Sequence, residues 1–395
     1  AIAVYRVQST RGAEVFSVRW IGALRLALLL ALVAGFCHAW WRRNRAGAAL
    51  ANAALLPAVF ADPANTLYFS TFYAEPSALF AVYALANLAV LWHGEEATLR
   101  RRLWLALAAF LLATSKIQHL ALPLALAGVA LAWTWHTPKQ RWQAIAMLAG
   151  AALGLGLQLV QLARNDPMMT SIRSFNRADV VFTALLPAVS DPAATLARLG
   201  LPVRCGDFRG KPAWQLPDLA ERACPGIERI GRSAVVRELL REPIAIARLA
   251  ELSVAALHPW LPQNLGHVAG RPMGKLPAPF ATLSTWLEIW PALRWFVLGT
   301  PLLAALVTLR RGDRYAVLCR IVATLELATL GVIVLGDGLA DVPKQAHVIF
   351  NAALGWSTIS LVLGAAHAVD LDQKFAAADI AEQEQTRRLA RQTPV

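Results

Sequence analysis

Residues 20–41 read WIGALRLALLLALVAGFCHAWW, a continuous apolar segment with tryptophans at both ends. A helix that crosses the hydrocarbon core of a bilayer needs about 20 predominantly apolar residues, and tryptophan is enriched at the two membrane interfaces. Arg25 is close enough to one end of the segment for its guanidinium to snorkel to the interface. The segment therefore predicts a transmembrane helix, and the rest of the chain repeats its pattern.

The composition of the whole chain also indicates a membrane protein. Of its 395 residues, 57% are hydrophobic and 16% are charged, against roughly 45–50% and 25% in soluble domains. These values exclude a soluble enzyme, a fibrous protein and a disordered chain. The net charge of +13 is assigned first to cytoplasmic loops, where lysine and arginine accumulate in membrane proteins. Membrane lipids, rather than nucleic acid, are the expected partners.

Nine apolar segments predict an all-α fold, a polytopic bundle of transmembrane helices. The second segment is short and rich in alanine, so it spans only if neighbouring helices bury it or the bilayer thins locally. The predicted spans are residues 20–41, 46–61, 76–92, 103–120, 122–135, 142–162, 293–309, 315–335 and 347–368.

Basic clusters follow alternate spans and predict the orientation of the bundle. They begin at Arg42, Arg100, Lys139 and Arg310 and recur in the charged tail 370–395. Loops after successive spans fall on opposite sides, so all five clusters share one side, which the positive-inside rule makes the cytoplasm. The polar beginning, residues 1–17, is then outside without a signal peptide of its own. We expect either an upstream span that delivers it or a chain that is a fragment.

The order of spans and polar segments predicts four regions. They are transmembrane helices over 1–163, a mostly helical extracytoplasmic loop domain over 164–290, transmembrane helices over 291–369 and a cytoplasmic tail over 370–395. The loop domain contains Cys205 and Cys224, two of the four cysteines in the chain. Because disulfides persist outside the cytoplasm, this pair predicts a disulfide.

Polar residues that are unusual for a membrane protein gather in three outer hairpins, at 62–75, 115–121 and 336–344. Ionisable groups at membrane depth are costly and usually mark a function. The candidate site residues are Asp62, Tyr68, Tyr73, Glu75, Lys116, Gln118, His119, Asp337, Asp341 and Lys344. A structural interpretation stays open for each hairpin, because Asp-Pro and Glu-Pro start helices, lysine snorkels and glycine-rich stretches form turns.

No soluble-enzyme signature competes with this interpretation. The sequence contains no Walker-type phosphate loop, GxSxG elbow, HExxH helix, CxxC pair or repeat of fixed period. Residues 150–156, GAALGLG, form a small-residue helix surface, which favours close helix packing over nucleotide binding. No cluster has the spacing of a dedicated metal site, so the sequence leaves a metal requirement open.

Three sets of residues resemble the motifs of a known superfamily. They are YFSTFYAEP at 68–76, TSKIQ at 114–118, and GDG at 336–338 followed by Asp341, Lys344, His347 and Phe350-Asn351. In order and sidedness they resemble bacterial polytopic hexosyltransferases of the GT-C superfamily, over residues 15–365. The resemblance implies an inverting glycosyltransferase of the bacterial inner membrane, active in cell-envelope glycan biosynthesis. Such an enzyme transfers sugar from a polyprenyl-phosphate donor to a glycan or lipid acceptor at the outer face.

The resemblance also implies a catalytic carboxylate in the first outer loop, serving as base or as metal ligand. In the superfamily that loop follows a first span, which we expect to precede Ala1, and we therefore expect the equivalent carboxylate upstream of Ala1 as well. Transfer needs a cation for the departing phosphate, a base for the acceptor hydroxyl, and polar or aromatic groups for the sugar.

This chemistry distributes roles among the candidates. Glu75 and Asp62 are candidate bases, Lys116 and Lys344 are phosphate partners supported by His119, Asp337 and Asp341 bind sugar hydroxyls or a divalent cation, and Tyr68, Tyr73 and Gln118 are further substrate contacts. A divalent cation is the one cofactor considered. Two other functions stay open: a transporter or flippase of lipid-linked sugars, and a non-catalytic membrane scaffold. Transporters often show two related halves with broken spans, and the sequence has no such symmetry.

Overall fold

The computed structural model describes residues 17–71, 73–134, 141–164, 167–259 and 283–392, with the side chains of 167–169 and 370–392 left out. Throughout this part the chain is helical and has no β-strand, so the predicted all-α fold is confirmed. The predicted polar beginning, residues 1–16, and the basic residue Lys139 lie outside the described residues.

The segments predicted as spans all coincide with helices. The helices before the polar domain are α1 (Arg19–Trp41), α2 (Ala46–Leu55), α3 (Pro63–Phe69), α4 (Glu75–Leu91), α5 (Leu99–Ser115), α6 (Ala121–Trp133) and α7 (Arg141–Ala163). A π-helical turn, Leu56–Phe60, extends α2, and a 3₁₀ turn, Ile117–Leu120, joins α5 to α6.

The second half of the chain contains the domain and the last helices. The domain helices are α8 (Pro167–Asp179), α9 (Leu186–Ala188), α10 (Pro192–Arg198), α11 (Ala220–Ala223), α12 (Arg232–Arg241) and α13 (Pro243–Ala255). The last helices are α14 (Leu283–Ile289), α15 (Pro291–Val307), α16 (Arg314–Gly336), α17 (Val342–Gln345) and α18 (His347–Gln392).

Length and composition separate these helices into groups. In the described part of the chain four are long and apolar enough to cross a membrane, namely α1, α7, α16 and the stretch His347–Val369 of α18. Two pairs qualify only together and are sharply bent, α2 with α3 by 81° and α14 with α15 by 112°. Helix α4 and the stretch Ile117–Trp133 are apolar but shorter. The described residues therefore contain four to six candidate spans, and the count of nine stays a prediction.

Three helix boundaries differ from the prediction. Helix α5 begins at Leu99, so the basic residues 100–102 form its first turn, where the Thr98 hydroxyl accepts a hydrogen bond from the Arg101 backbone N–H over 3.3 Å. The same helix ends early because Lys116 has an extended backbone. Helix α18 continues to Gln392, through the region predicted as a charged tail.

Small residues bring α5 and α7 together. A Cβ atom added at Gly150 would lie 2.1 Å from the Ala106 carbonyl oxygen, and one added at Gly154 would lie 2.5 Å from the Ala113 Cβ. Side chains at either position would push the helices apart. The packing role predicted for residues 150–156 is confirmed at Gly150 and Gly154, whereas a Cβ atom at Gly156 would meet nothing within 4 Å.

Three basic connections meet at one end of the bundle. Glu95 forms ion pairs with Arg43, Arg101 and Arg314, at 3.3, 2.6 and 3.7 Å. These arginines belong to clusters that follow different predicted spans, so their convergence on one carboxylate places the connections side by side. We call this end of the bundle the arginine end.

The polar domain, residues 167–257, has a core of its own. The π-helical segment Val180–Leu185 is buried there, together with the disulfide between Cys205 and Cys224 that the sequence predicts. The domain lies at the end of α16 remote from Arg314, which we call the domain end.

The domain touches the hairpin that follows α16. Arg232 donates a hydrogen bond to the Gly336 carbonyl over 2.5 Å. Gly338 has a positive φ of 65°, and a Cβ atom there would lie 2.4 Å from the Asp179 carbonyl oxygen. A glycine is required at this position by both the backbone conformation and the close approach. The contact fixes the hairpin relative to the domain.

Candidate functional site

The three polar hairpins of the sequence meet at the domain end. The Lys116 ammonium of the second hairpin donates a hydrogen bond to Gln345 Oε1 of the third over 2.6 Å. The Lys344 ammonium of the third lies over the Tyr73 ring of the first, 4.6 Å from the ring centroid. The structure thus joins residues that are far apart in the chain.

Arg25, on α1, binds the backbone of the first hairpin. Its guanidinium donates hydrogen bonds of 2.6–3.0 Å to four backbone carbonyls, those of Tyr68, Phe69, Thr71 and Tyr73. Snorkelling of Arg25 to the interface stays a prediction, and the structure shows that its donors are taken by backbone carbonyls of the hairpin. Within the last turn of α3, this side chain donates to the carbonyls of Tyr68 and Phe69, which have no partner inside the helix.

Asp62 connects the first hairpin to α14. Its Oδ1 accepts a hydrogen bond from the Ala64 backbone N–H over 2.8 Å, which caps α3. Its Oδ2 accepts from the Ser284 backbone N–H and hydroxyl, over 3.1 and 2.9 Å. The side chain is buried and both oxygens are occupied, an arrangement that suits a structural link better than a base.

An amide and imidazole network lies beside it. Asn65 Oδ1 is 2.5 Å from His347 Nε2, and Asn65 Nδ2 donates to Asn351 Oδ1 over 2.6 Å. The His347 ring meets the Tyr68 ring edge-on at 5.4 Å. Sequence reasoning quoted His347 and Asn351 within a motif but did not include them, or Asn65, among the site residues. The i, i+4 spacing of His347 and Asn351 places both side chains on one helix face, and this spacing could have identified them from the sequence.

Glu75 is the carboxylate whose oxygens are uncommitted. It begins α4, is 6% exposed, and has no hydrogen bond or ion pair to any described residue. Arg25, Tyr68 and Lys116 are within electrostatic range of it. A buried carboxylate at a helix N-terminus, close to cations and free of donors, is available to accept a proton.

Gln345 bridges a cation and a carboxylate. Its Oε1 accepts from Lys116, and its Nε2 donates to Asp337 Oδ2 over 2.7 Å. The bridge sets the position of the Lys116 ammonium through neutral hydrogen bonds, without an ion pair to a described residue. Sequence reasoning passed over Gln345, although it follows Lys344 directly.

Lys344 and Asp341 form a second charged pair. The Lys344 ammonium is 3.4 Å from Asp341 Oδ2. Burial raises the pKa of the Asp341 carboxyl, and the adjacent Lys344 ammonium opposes that shift. The Tyr73 ring, on which Lys344 lies, meets the Tyr68 ring edge-on at 5.7 Å. Asp341, Lys344 and the two tyrosine rings therefore form one contiguous cluster.

Three buried polar atoms at the site have no hydrogen-bond partner among the described residues: Gln118 Oε1, Asp337 Oδ1 and His347 Nδ1. Each such atom costs about 1–3 kcal/mol when it stays unsatisfied. A polar ligand or ordered water at this end of the bundle would remove that cost. His119 differs, because its Nδ1 lies 2.9 Å from the Ser115 hydroxyl of its own hairpin.

The domain adds a carboxylate that the sequence did not assign to the site. Asp179 is buried, and its Oδ1 accepts a hydrogen bond from the Ala213 backbone N–H over 2.6 Å. Burial raises the pKa of Asp179 to about 7, the hydrogen bond opposes the shift, and the carboxylates of Asp337 and Asp341 add to it. Electrostatic repulsion between Asp179 and the carboxylates of the third hairpin therefore links protonation in the domain to that hairpin.

Within the part of the chain that the structure describes, no group of three or more His, Cys, Asp or Glu side chains is arranged to hold a metal ion. Asp341 is engaged by Lys344 and Asp337 by Gln345. Their proposed role as ligands of a divalent cation stays a prediction.

A large cavity lies away from these hairpins. It has a volume of about 1010 Å³, lies between α2, α4, α16 and α18, and extends to the arginine end at Arg45 and Arg314. None of the predicted site residues lines it. Its inner end reaches Asn351, whose amide contacts Asn65 of the site.

Fold and composition together define a polytopic, all-α integral membrane protein whose conspicuous polar cluster lies at one end of the bundle. Residues 1–387 match the YfdI N-terminal transmembrane domain. The chain belongs to this family, since the match covers nearly its whole length. Comparison with curated proteins and with solved structures gives no match.

Proposed function

We propose that the protein is a GT-C-type membrane glycosyltransferase that moves a sugar from a polyprenyl-phosphate donor to an extracytoplasmic glycan or lipid acceptor. The domain end would face out of the cytoplasm of a bacterial inner membrane. One observation supports this function most strongly: Glu75 is buried, has no partner among the described residues, and lies within electrostatic range of the Lys116 ammonium. A base and a cation at one site are what sugar transfer from a lipid phosphate requires.

Glu75 is the base in this proposal. Its carboxylate takes the proton of the acceptor hydroxyl while the acceptor oxygen attacks the anomeric carbon. The bond between that carbon and the phosphate oxygen breaks on the opposite side, and the polyprenyl phosphate leaves with the electron pair, so the configuration inverts. Asp62 is less suited to this step, because its two oxygens already accept three hydrogen bonds.

Lys116 and Lys344 stabilise the departing phosphate. Lys116 is held by the neutral amide of Gln345, so its positive charge is available to an anion. Lys344 is paired with Asp341 and lies over Tyr73. A phosphate between the two ammonium groups would gain charge-assisted hydrogen bonds as its negative charge grows in the transition state.

The unsatisfied polar atoms of the site suit sugar hydroxyls. Gln118 Oε1 and Asp337 Oδ1 are buried acceptors without a donor among the described residues, and a hydroxyl supplies a donor to each. The half-exposed Tyr73 ring offers an apolar face against which a sugar ring packs, whereas Tyr68 is fully buried and supports Tyr73 edge-on. In this arrangement substrate binding removes the desolvation cost that the empty site carries.

The test is a transfer assay on the purified full chain in liposomes, with a panel of radiolabelled polyprenyl-phosphate sugars and a cell-envelope acceptor extract. The variants Glu75→Gln and Lys116→Ala should each remove transfer while thermal unfolding stays unchanged, a loss of about 10²–10⁴-fold for a general base. The control Glu251→Gln alters an exposed carboxylate of the domain and should transfer at the wild-type rate. Wild-type rates in both site variants would refute the assignment.

Transport of lipid-linked sugars is the second candidate function. The cavity that extends from the arginine end to Asn351, beside the site, favours it. A liposome assay separates the two, because a transporter moves a labelled lipid-linked sugar between leaflets without forming a new glycosidic bond.

A further inference from the structure

The cavity between α2, α4, α16 and α18 is built for an amphiphile. Its volume of about 1010 Å³ lies at the upper end of the roughly 300–1,000 Å³ typical of ligand pockets. Its depth is lined by apolar side chains, among them Leu55, Val82, Leu318 and Trp356. A hydrocarbon chain fits such a wall without leaving polar groups unsatisfied.

The polar side chains inside the cavity are already paired with one another. The Tyr83 hydroxyl donates to Asn52 Oδ1 over 2.9 Å, and the Trp40 indole donates to Asn87 Oδ1 over 3.3 Å. These contacts leave the depth of the cavity apolar in character.

The mouth at the arginine end carries two arginines and one aspartate, and the aspartate, Asp313, is already paired with Arg311 over 2.7 Å. Arg45 and Arg314 both line it. No described residue forms an ion pair or hydrogen bond with the Arg45 guanidinium, and the buried Nε of Arg314 has no hydrogen-bond partner in the described part of the chain. Glu95 pairs with Arg314 over 3.7 Å but also with Arg43 and Arg101, so one carboxylate is shared by three guanidinium groups.

We propose that this cavity binds one anionic phospholipid, with the headgroup phosphate at Arg45 and Arg314 and the acyl chains against the apolar wall. Basic pockets between transmembrane helices recognise anionic headgroups in this way. The polyprenyl-phosphate donor fits less well, because its phosphate partners Lys116 and Lys344 are at the opposite end of the bundle. The inference is independent of the proposed transferase, since none of the transferase residues lines the cavity.

Native mass spectrometry of the delipidated full chain tests this site, with phosphatidylglycerol and phosphatidylethanolamine added at equal concentration. Wild type should retain one phosphatidylglycerol in preference to phosphatidylethanolamine. Each basic residue near an anionic headgroup contributes about 1 kcal/mol of binding free energy, which corresponds to about fivefold in affinity. Arg45→Gln and Arg314→Gln should therefore each weaken retention about fivefold, and the double variant roughly 25-fold. Arg310→Gln, at an exposed arginine of the same end that does not line the cavity, should bind as wild type.

A second pair of variants tests the apolar depth. A Cβ atom at Gly355 would lie 3.8 Å from Leu55 Cδ2 across the cavity, whereas one at Gly364 of the same helix meets nothing within 4 Å and lies off the cavity lining. Gly355→Leu should therefore reduce phosphatidylglycerol retention, and Gly364→Leu should not.

Two results would overturn the proposal. Equal retention of the two phospholipids, insensitive to Arg45 and Arg314, would mean that ordinary boundary lipid fills the cavity. Displacement of phosphatidylglycerol by undecaprenyl phosphate, weakened by the same arginine variants, would assign the cavity to a polyprenyl lipid instead. Neither result depends on whether the hairpins at the domain end transfer sugar.

Discussion

Replacing Arg25 tests whether the first hairpin is clamped through its backbone. The four carbonyls it binds span residues 68 to 73, at 2.6–3.0 Å. Interhelical hydrogen bonds in membrane proteins contribute on average about 0.6 and at most about 1.7 kcal/mol each. With charge-assisted bonds at the upper part of that range, loss of all four by Arg25→Met should cost roughly 3–5 kcal/mol of unfolding free energy.

Lysine distinguishes a clamp from a snorkelling charge. Its single ammonium cannot reproduce the planar fork with which a guanidinium reaches several acceptors at once. Arg25→Lys should therefore retain about half of the stabilisation, and the sugar-transfer rate should fall because Tyr73 and Glu75 are no longer held in place. A residue that only snorkels would tolerate lysine without loss.

The assay is thermal unfolding of the purified chain in detergent, followed by limited proteolysis at the hairpin. The matched control is Arg19→Lys, on the same helix at an exposed position. Arg25→Lys and Arg25→Met should both unfold at lower temperature and be cut faster between residues 66 and 74, while the control behaves as wild type. If Arg25→Met and Arg25→Lys are as stable and as resistant to proteolysis as Arg19→Lys, the clamp contributes nothing.

Three further predictions concern the domain and the orientation. Burial raises the pKa of Asp179 to about 7 in the folded protein, from an ordinary value of 3.8, so the free energy of unfolding should fall by up to roughly 4 kcal/mol as pH rises from 4 to 7 and level off above; pH-dependent unfolding of Asp179→Asn should lack this component. Serine at Cys205 and Cys224, which are 19 residues apart, should cost about 3 kcal/mol and remove the effect of reductant on the melting curve. A membrane-impermeant maleimide should label Thr66→Cys only from outside intact cells and Arg310→Cys only in inverted vesicles, and the reverse pattern would invert the topology.

Much of the arrangement follows from local sequence pattern. Apolar segments of sufficient length predict helices, and counting basic clusters after alternate spans predicts which connections share an end. The ion pairs of Arg43, Arg101 and Arg314 with one glutamate agree with that grouping. The glycines at 150 and 154 likewise reveal close packing, because only very small residues allow two helix backbones to touch.

The roles of individual polar residues did not follow from the pattern. Asp62 and Glu75 both precede or start helices in the sequence, and only the structure shows that Asp62 is occupied by Ser284, which is 222 residues away. Gln345 and Asp179 were missed for the same reason. Their partners come from other hairpins and another domain, and hydrogen-bond partners of that kind are selected by tertiary packing rather than by spacing along the chain.

The helix bends were also beyond local reasoning. The 81° bend between α2 and α3 follows a π-helical turn. The apolar pattern of residues 46–61 had predicted one regular span. Such turns depend on how neighbouring helices and caps satisfy the displaced backbone groups. The same holds for the break at Lys116, where an extended backbone presents the ammonium to Gln345.

The central claim is that Glu75, and not Asp62, removes the proton of the acceptor hydroxyl. The measurement that tests it most directly is the initial rate of sugar transfer per folded molecule, compared between Glu75→Gln, Asp62→Asn and wild type in the same liposomes. We predict a loss of about 10²–10⁴-fold for Glu75→Gln, and for Asp62→Asn a lower melting temperature with the rate per folded molecule largely retained. Wild-type turnover in Glu75→Gln, together with loss of turnover in stably folded Asp62→Asn, would contradict the account.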